Sequence, residues 1–380
     1  MSLLALVAAV PCAPLWRVDY AALEERFDWL RALRSCPQDP VHHAEGDVGL
    51  HTHMVLEALA AMPAFRALDG DGRLVCFLGC LLHDVAKPWT TRVVDGRTTA
   101  KGHSARGAIF GRQLLWELGL PFAVREQVCA IVRSHQIPFF LVEKPEKEAE
   151  RRLLGIAESV RCDWLAIVTE ADARGRVCAD QQRLLDHIEL FRTLAVDVDV
   201  LSAPFAFQDA HTRFRYFRDE RRTRFDTAFD DTRCTVTLMS GLPASGKDSW
   251  VRANVDDDDA VISLDALREE HELEHGGPQG RVVRIAQEKL KERLRNSQDA
   301  VWNATSLARD LRAGVIDVAD AYKARVHIVC CEAPTDVAAA RNRARERPVP
   351  AGAIGRMLER WEMPNSTEAH VVDVVVSTDL

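Results

Sequence analysis

The sequence predicts two domains, an all-α helical bundle followed by an α/β domain built on a parallel sheet. Three observations predict this. The chain is 380 residues long, more than a single domain usually takes. Its first half repeats apolar residues at helical spacing, as in Leu50, Met54 and Ala58 or Leu74, Leu78 and Leu82. Its second half alternates short β-branched runs with amphipathic helical patterns, which indicates parallel strands covered by helices. A hydrophobic fraction of 47% and a charged fraction of 28% suit a globular protein, and a net charge of −8 argues against a nonspecific DNA coat without excluding a small basic groove.

The opening MSLLALVAAVPCAP is apolar but lacks a basic leader, and its run is short, so it reads as a buried N-terminal segment rather than a signal peptide. No stretch is long enough to span a membrane. The ten cysteines are scattered without a CxxC pair, the usage of a reduced, cytoplasmic protein. The first domain is placed at 1–195. Within it, TTRVVDGRTTA (90–100) sets β-branched residues on both sides of Asp95-Gly96, a hairpin signal, and the helical pattern resumes at His103. Residues 196–232, with Pro204, little periodicity and the run RFRYFRDERRTRF, read as a junction. The second domain is placed at 233–380. Its predicted strands are TVTLMSG (235–241), AVISLD (260–265), AVWNAT (300–305), RVHIVCCE (325–332) and HVVDVVVST (370–378). Cys330 and Cys331 should point to opposite faces of one strand. DDDD at 256–259 reads as a solvated turn.

Histidines and aspartates recur inside the apolar helical sequence of the first domain: His51 in LHTHMVLE, His83-Asp84 in LLHDVAKP, His103 in KGHSARGA, His135 in IVRSHQIP and Asp172 in TEADARGR. Such side chains are costly to bury unless they share a partner, and imidazoles with carboxylates suit Mn, Fe, Co, Ni or Zn. His53 rivals His51, while His42 and His43 read as supporting residues. Lys87, one turn beyond the His-Asp pair, can reach a phosphate or the nucleophile, and Arg106, Arg174 and Arg176 flank the candidates.

The pattern His51, His83-Asp84, Asp172 resembles the HD-domain phosphohydrolase superfamily. That resemblance implies an HD-type helical bundle, and His103 and His135 match its two-metal subset, in which Asp84 would bridge the ions. EGDVGLHTHMVLE, HDVAKP, the hairpin and GHSARG are also similar to the HD domain attached to some tRNA nucleotidyltransferases.

In the second domain GLPASGKDSW follows a strand and precedes a helix. Gly241, Gly246 and Lys247 stand at the spacing of a phosphate-binding loop, with Ala244 and Ser245 inside it. Its backbone N–H groups and the helix N-terminus would cradle phosphates, and Lys247 would reach the β/γ pair. The next position, usually a hydroxyl that binds Mg²⁺, is Asp248. The neighbouring strand ends in Asn303 where a carboxylate often helps hold the ion, so Asp248 is expected to supply that charge instead. Ser249 points about 100° away and is a poor substitute. Asp265, expected to close the second strand, can accept a proton from a hydroxyl, and Arg268 shares its helix face. The bland reading of Asp265 is a helix N-cap. Arg341 and Arg345, one turn apart in AAARNRARERPVP, suggest a lid over a transferring phosphoryl group.

SLDALR and RERPVP…RMLERWEMPNSTEA resemble polynucleotide 5′-hydroxyl kinases of the phage type. The whole order of parts resembles bacterial bifunctional HD-domain polynucleotide kinases. This resemblance implies a P-loop kinase using ATP or another NTP with Mg²⁺, joined to a phosphohydrolase holding one or two transition metals. RNA ends, and by extension DNA ends, would be the substrate, with an RNA ligase as pathway partner. A nucleotidase fused to a small-molecule or nucleoside kinase is the alternative, and a non-catalytic nucleotide sensor is a third class.

Overall fold

A computed structural model describes residues 3–272 and 279–377, and the chain divides into two compact units, Met1–Phe205 and Ala206–Leu380. Met1 and Ser2 of the apolar opening, and Thr378 of the last predicted strand, lie outside the described residues.

The N-terminal unit is a helical bundle built on α1 (Val48–Ala61), α2 (Gly70–Leu82), α3 (His103–Glu117), α4 (Phe122–Ser134), α5 (Cys162–Arg174) and α6 (Gln181–Asp197). Helix α2 is buried on all sides from Val75 to Leu82 and packs against α1, α4 and α5. A helix apolar all round belongs in the middle of a bundle. Asp47 and Asp69 start α1 and α2, their carboxylates accepting from the N–H groups of Leu50 (2.8 Å) and Gly72 (2.7 Å). The stripe expected on α1, Leu50, Met54 and Ala58, is only half-buried. The buried face is Val48, His51, Thr52, Val55, Leu56 and Leu59. A count of apolar residues misses this because the buried face carries a histidine and a threonine. Helices α1 and α5 approach closely at Gly175, where a Cβ would stand 2.7 Å from the Val55 backbone nitrogen. The hairpin forms as expected from β1 (Arg92–Val94) and β2 (Arg97–Thr99), with Asp95 and Gly96 at φ 51° and 74°. The apolar opening is not a buried segment: in the helix Leu3–Ala8 only Leu6 is fully buried, and Leu4 and Val7 face outward.

The C-terminal unit is a five-stranded parallel sheet of β3 (Cys234–Ser240), β4 (Val261–Ser263), β5 (Ala300–Asn303), β6 (Ala324–Glu332) and β7 (Val371–Val376), in the order β4-β5-β3-β6-β7. Its helices are α7 (Ala210–Arg218), α8 (Lys247–Asn254), α9 (Leu264–Glu270), α10 (Gln279–Arg295), α11 (Arg309–Ala321), α12 (Thr335–Ala344) and α13 (Ala351–Leu358). On one face Val236, Leu238 and Trp302 meet Val282, Ala286 and Leu290 of α10; on the other Met239, Val301, Val329 and Cys331 meet Val251 of α8. Cys330 and Cys331 are both buried, as neighbours directed at two covered faces should be. The connections diverge on either side of β3, which places a ligand crevice at its carboxyl end.

Residues expected as a junction include a helix built into this unit. Phe214 of α7 enters the core, Arg213 donates to the carbonyls of Ser366 (3.2 Å) and His370 (2.7 Å), and Arg215 and Arg218 pair with Asp320 at 2.6 and 2.8 Å. Asp257, in the predicted solvated turn, caps a short helical turn and pairs with Arg293 at 2.7 Å. Among the described residues no helix is long and apolar enough to cross a membrane.

Candidate functional site

The six ligand candidates of the N-terminal unit converge. His51 lies on α1, His83 and Asp84 at the end of α2, His103 at the start of α3, His135 at the end of α4, and Asp172 on α5, all buried. Helix ends explain how adjacent His83 and Asp84 both reach the centre. His53 does not take part: it stacks on Tyr20 with ring centroids 4.8 Å apart and lies 3.4 Å from Glu57.

The imidazoles share one orientation. Nδ1 of His83, His103 and His135 donates to the carbonyls of Cys80 (2.7 Å), Ala100 (2.7 Å) and Val132 (2.9 Å), three residues earlier in each case. His51 Nδ1 lies 2.9 Å from Glu45 Oε1. With Nδ1 holding the proton, each Nε2 carries a lone pair, and these point at one another. His51 and His83 Nε2 are 3.3 Å apart, with Asp172 Oδ1 3.1 Å from the first and Asp84 Oδ2 3.2 Å from the second. His103 and His135 Nε2 are 3.4 Å apart, with Asp84 Oδ1 at 3.3 and 3.9 Å. Asp84 Oδ1 is buried and has no hydrogen-bond partner among the described residues. Lone pairs crowded this way repel unless a cation lies among them. A cation about 2.1 Å from each donor sets edges of about 3.0–3.4 Å between adjacent donors, which the 3.1–3.4 Å pairs of each half meet, while the 3.8–4.0 Å separations suit donors spread more widely around a divalent transition metal; Asp84 has one oxygen in each half.

Charges around the cluster support the ionised carboxylates. Burial acts to raise the Asp84 pKa, but the Lys87 ammonium (Nζ–Oδ2 2.7 Å) holds it well below the usual range. Burial likewise opposes Asp172, and Arg176, bidentate to it at 2.9 and 2.7 Å, keeps it low. Burial pushes His135 down to about 3, and lowers His103, leaving neutral imidazoles of the kind metals bind. Lys87 also donates to Gln38 Oε1 at 2.6 Å. Of the flanking arginines only Arg176 touches a ligand. Arg174 turns to Glu170 at 2.7 Å, and Arg106 is exposed.

Glu45 was not found from the sequence. Its Oε1 accepts from His43 Nδ1 (2.8 Å) and lies 2.9 Å from His51 Nδ1, and its Oε2 accepts from the Val177 N–H (2.9 Å). It sets a carboxylate against the His51 ring, and the only sequence signal for it is a carboxylate six residues before a candidate ligand. A cavity of about 490 Å³ adjoins the cluster through Lys87 and His103.

In the C-terminal unit the loop from Gly241 to Lys247 sits at the carboxyl end of β3. Gly241 has φ 148°, and a Cβ there would lie 2.3 Å from the Cys331 carbonyl oxygen. Ala244 has φ 62° and Gly246 φ 101°, and Ser245 Oγ is buried with no hydrogen-bond partner among the described residues. Lys247 Nζ crosses the loop to the carbonyls of Gly241 (2.9 Å) and Leu242 (2.8 Å), and burial lowers its pKa to about 8. Asp248, Asp265 and Arg345 all act on this ammonium through space. Asn303 Nδ2 donates to Asp248 Oδ1 at 2.9 Å. The carboxylate expected to replace the usual hydroxyl therefore touches the amide that stands in the usual carboxylate's place. Asp248 is exposed, an oxygen donor that suits a partly hydrated Mg²⁺. Ser249 turns away and accepts from Arg252 at 3.3 Å.

Two expectations need correction. Strand β4 stops at Ser263, so Asp265 does not close a strand but lies in the first turn of α9, paired with Arg268. Nor is it the N-cap, because Ser263 Oγ accepts the Ala266 N–H. Arg341 and Arg345 do not share a helix face. Helix α12 ends at Ala344, Arg345 is extended (φ −69°, ψ 145°), and Arg341 donates to Ser377 Oγ at 2.7 Å. Pro348 and Pro350 follow closely and disfavour continuation of the helix.

Comparison with known proteins agrees with this division. Residues 50–173 match the HD domain model and residues 236–364 match a model described as AAA domain. Similar proteins include the multifunctional CCA proteins of Ralstonia nicotianae (27% identical over 208 residues, 51% of this chain and 45% of the relative) and Halorhodospira halophila (36% over 114 residues, 30% and 25%). That of Azoarcus sp. is 29% identical over 212 residues, 47% of this chain and 49% of the relative. The chain thus spans a quarter to a half of the length of these curated relatives. It carries an N-terminal HD-type helical bundle and a C-terminal P-loop domain on a parallel sheet.

Proposed function

We propose that this protein heals broken RNA ends. The HD unit removes 2′,3′-cyclic, 2′- or 3′-phosphates, and the P-loop unit transfers a phosphoryl group from ATP or another NTP to a 5′-hydroxyl. The observation that carries the reading is Asp84, with one oxygen in each of two donor sets, beside a cavity that Lys87 enters. Divalent metals held there would lower the pKa of a water and neutralise the phosphoryl oxygens it attacks. His51, His83, Asp84 and Asp172 would hold one metal, and Asp84, His103 and His135 the other. Lys87 and Ser104 line the cavity beside His103 and can bind the phosphate oxygens. Hydrolysis forms one phosphorus–oxygen bond from water and breaks the bond to the ribose oxygen, which leaves with a proton.

On the P-loop unit Lys247 and the loop N–H groups support an NTP site, with Asp248 and Asn303 as residues toward Mg²⁺. Asp265 would accept the 5′-hydroxyl proton as that oxygen bonds to the γ-phosphorus and the β–γ bridge breaks. Arg268, Arg341 and Arg345 would bear on the phosphoryl oxygens. The products are a free 3′-hydroxyl and a 5′-phosphate, the pair an RNA ligase joins, and cysteines that form no disulfide among the described residues suit a cytoplasmic setting. The test is an RNA oligonucleotide with 5′-hydroxyl and 3′-phosphate ends, supplied with ATP and Mg²⁺ or Mn²⁺. Both ends should be converted, and folded protein that alters neither end refutes the reading.

A further inference from the structure

The cavity beside the metal-type cluster is lined by side chains of two kinds. One kind is Lys87, His103 and Ser104, which suit a phosphate. The other kind is Gln136 and Phe140, one and five residues beyond His135. Phe140 is a large aromatic side chain, 47% exposed, on the short helix Ile137–Phe140 that packs against α6. A single exposed aromatic is ordinary on a protein surface. This one differs because its exposure is into a concave space that also reaches the cluster. Its backbone is anchored as well. Thr169 Oγ1 donates to the His135 carbonyl at 2.9 Å, Pro138 and Phe139 are buried, and His187 Nδ1 donates to the Phe139 carbonyl at 2.6 Å. The anchors leave Phe140 at a set place in the cavity wall. A volume of about 490 Å³ is in the range of sites that enclose a small ligand.

We propose that Phe140, with the Gln136 amide beside it, is a subsite for the terminal nucleobase of the phosphorylated strand. This rests on the hydrolase reading of the HD unit. A base stacked on the Phe140 ring and a terminal phosphate held by Lys87 and His103 would share this one cavity. Stacking tolerates any base because each presents a π face. The Gln136 amide offers both a donor and an acceptor, so it can meet a base edge without selecting one base. The substrate class is then a nucleotide terminus of any sequence, as opposed to small phosphate esters.

The test uses the full chain with two oligonucleotides, one ending in adenosine 3′-phosphate and the other in an abasic ribose 3′-phosphate. Binding of adenosine 3′-monophosphate and ribose 3-phosphate to metal-stripped protein is measured in parallel by calorimetry. Phe140→Ala should raise KM for the base-bearing end by about tenfold, toward the low end of one base–aromatic stack, with kcat and the abasic KM unchanged. Phe140→Trp should restore the base-bearing KM, and the binding constants should follow the same pattern. Equal effects on both substrates, or no effect on the base-bearing one, overturn the proposal. If neither end is hydrolysed but Phe140→Ala still weakens adenosine 3′-monophosphate and not ribose 3-phosphate, the subsite stands and the hydrolase reading falls.

Discussion

Gly175→Ala should weaken metal binding although residue 175 is no ligand. Gly175 caps α5 with φ −79° and ψ −2°, a conformation alanine adopts freely, so any effect is steric. A Cβ there would lie 2.6 Å from Val55 Cγ2, 2.7 Å from its N and 2.8 Å from its Cα, whereas ordinary contact begins at 3.4 Å. The deficits against backbone are 3.4 − 2.7 = 0.7 Å and 3.4 − 2.8 = 0.6 Å, and no rotamer change relieves them. Val55 stands one turn after His51 on α1, and Gly175 lies three residues after Asp172. Separating the helices by this amount opens the His51 Nε2–Asp172 Oδ1 edge from 3.1 Å toward about 3.7 Å, which widens the angle that an ion about 2.1 Å from both donors must span. Overpacking of this kind costs about 1–3 kcal/mol of stability. Disturbed ligand orientation costs roughly tenfold or more in metal affinity. The assay is Mn²⁺ or Zn²⁺ competition against a chelator, with Tm recorded alongside. Gly70→Ala, where a Cβ meets nothing within 4 Å, is the control. Wild-type metal affinity and Tm in Gly175→Ala would refute the close-approach argument.

The remaining predictions concern both units. His83→Ala should abolish 3′-phosphate removal and spare 5′-phosphorylation, while Lys247→Ala should do the reverse; loss of both activities from either change, in folded protein, contradicts separate sites. Asp248→Ser should reduce Mn²⁺ affinity of the protein–ADP complex by about tenfold, seen by electron paramagnetic resonance, and adding Asn303→Asp should recover part of it; strictly additive defects sink the charge exchange. Burial lowers His370 to about 4, below its ordinary value, and its Nδ1 accepts the Val326 N–H at 2.9 Å. Between about pH 6.5 and 4 the unfolded chain therefore takes up a proton that the folded unit refuses. Stability should be complete above this window and fall as pH drops through it, with a slope approaching one proton. His370→Asn, which keeps an acceptor, should flatten the slope in urea unfolding, and an unchanged slope would assign it elsewhere.

The two-part plan and the candidate residues of both sites are legible in the chain alone. Helical spacing and strand–helix alternation are local signals, and the phosphate loop is contiguous, so GLPASGKDSW is legible where it stands. The six cluster residues were legible as a set because imidazoles and carboxylates inside apolar helices demand a shared partner. Tertiary structure decided what depends on chain segments meeting across space. It gives the reason for His51, already preferred over its rival His53: α1 buries one face and leaves the other to stack on Tyr20. It brought in Glu45, whose link to His51 depends on where the chain turns before α1. It moved Asp265 off the strand, because Ser263 caps the helix two residues earlier than the apolar run implied. It parted Arg341 from Arg345 by ending α12 just ahead of Pro348. It set Asn303 against Asp248, 55 residues apart in sequence, because β5 pairs beside β3 and delivers its last residue to the loop. Spacing along the chain specifies which residues can share a face; only the packing of helices and the order of strands specifies which faces meet.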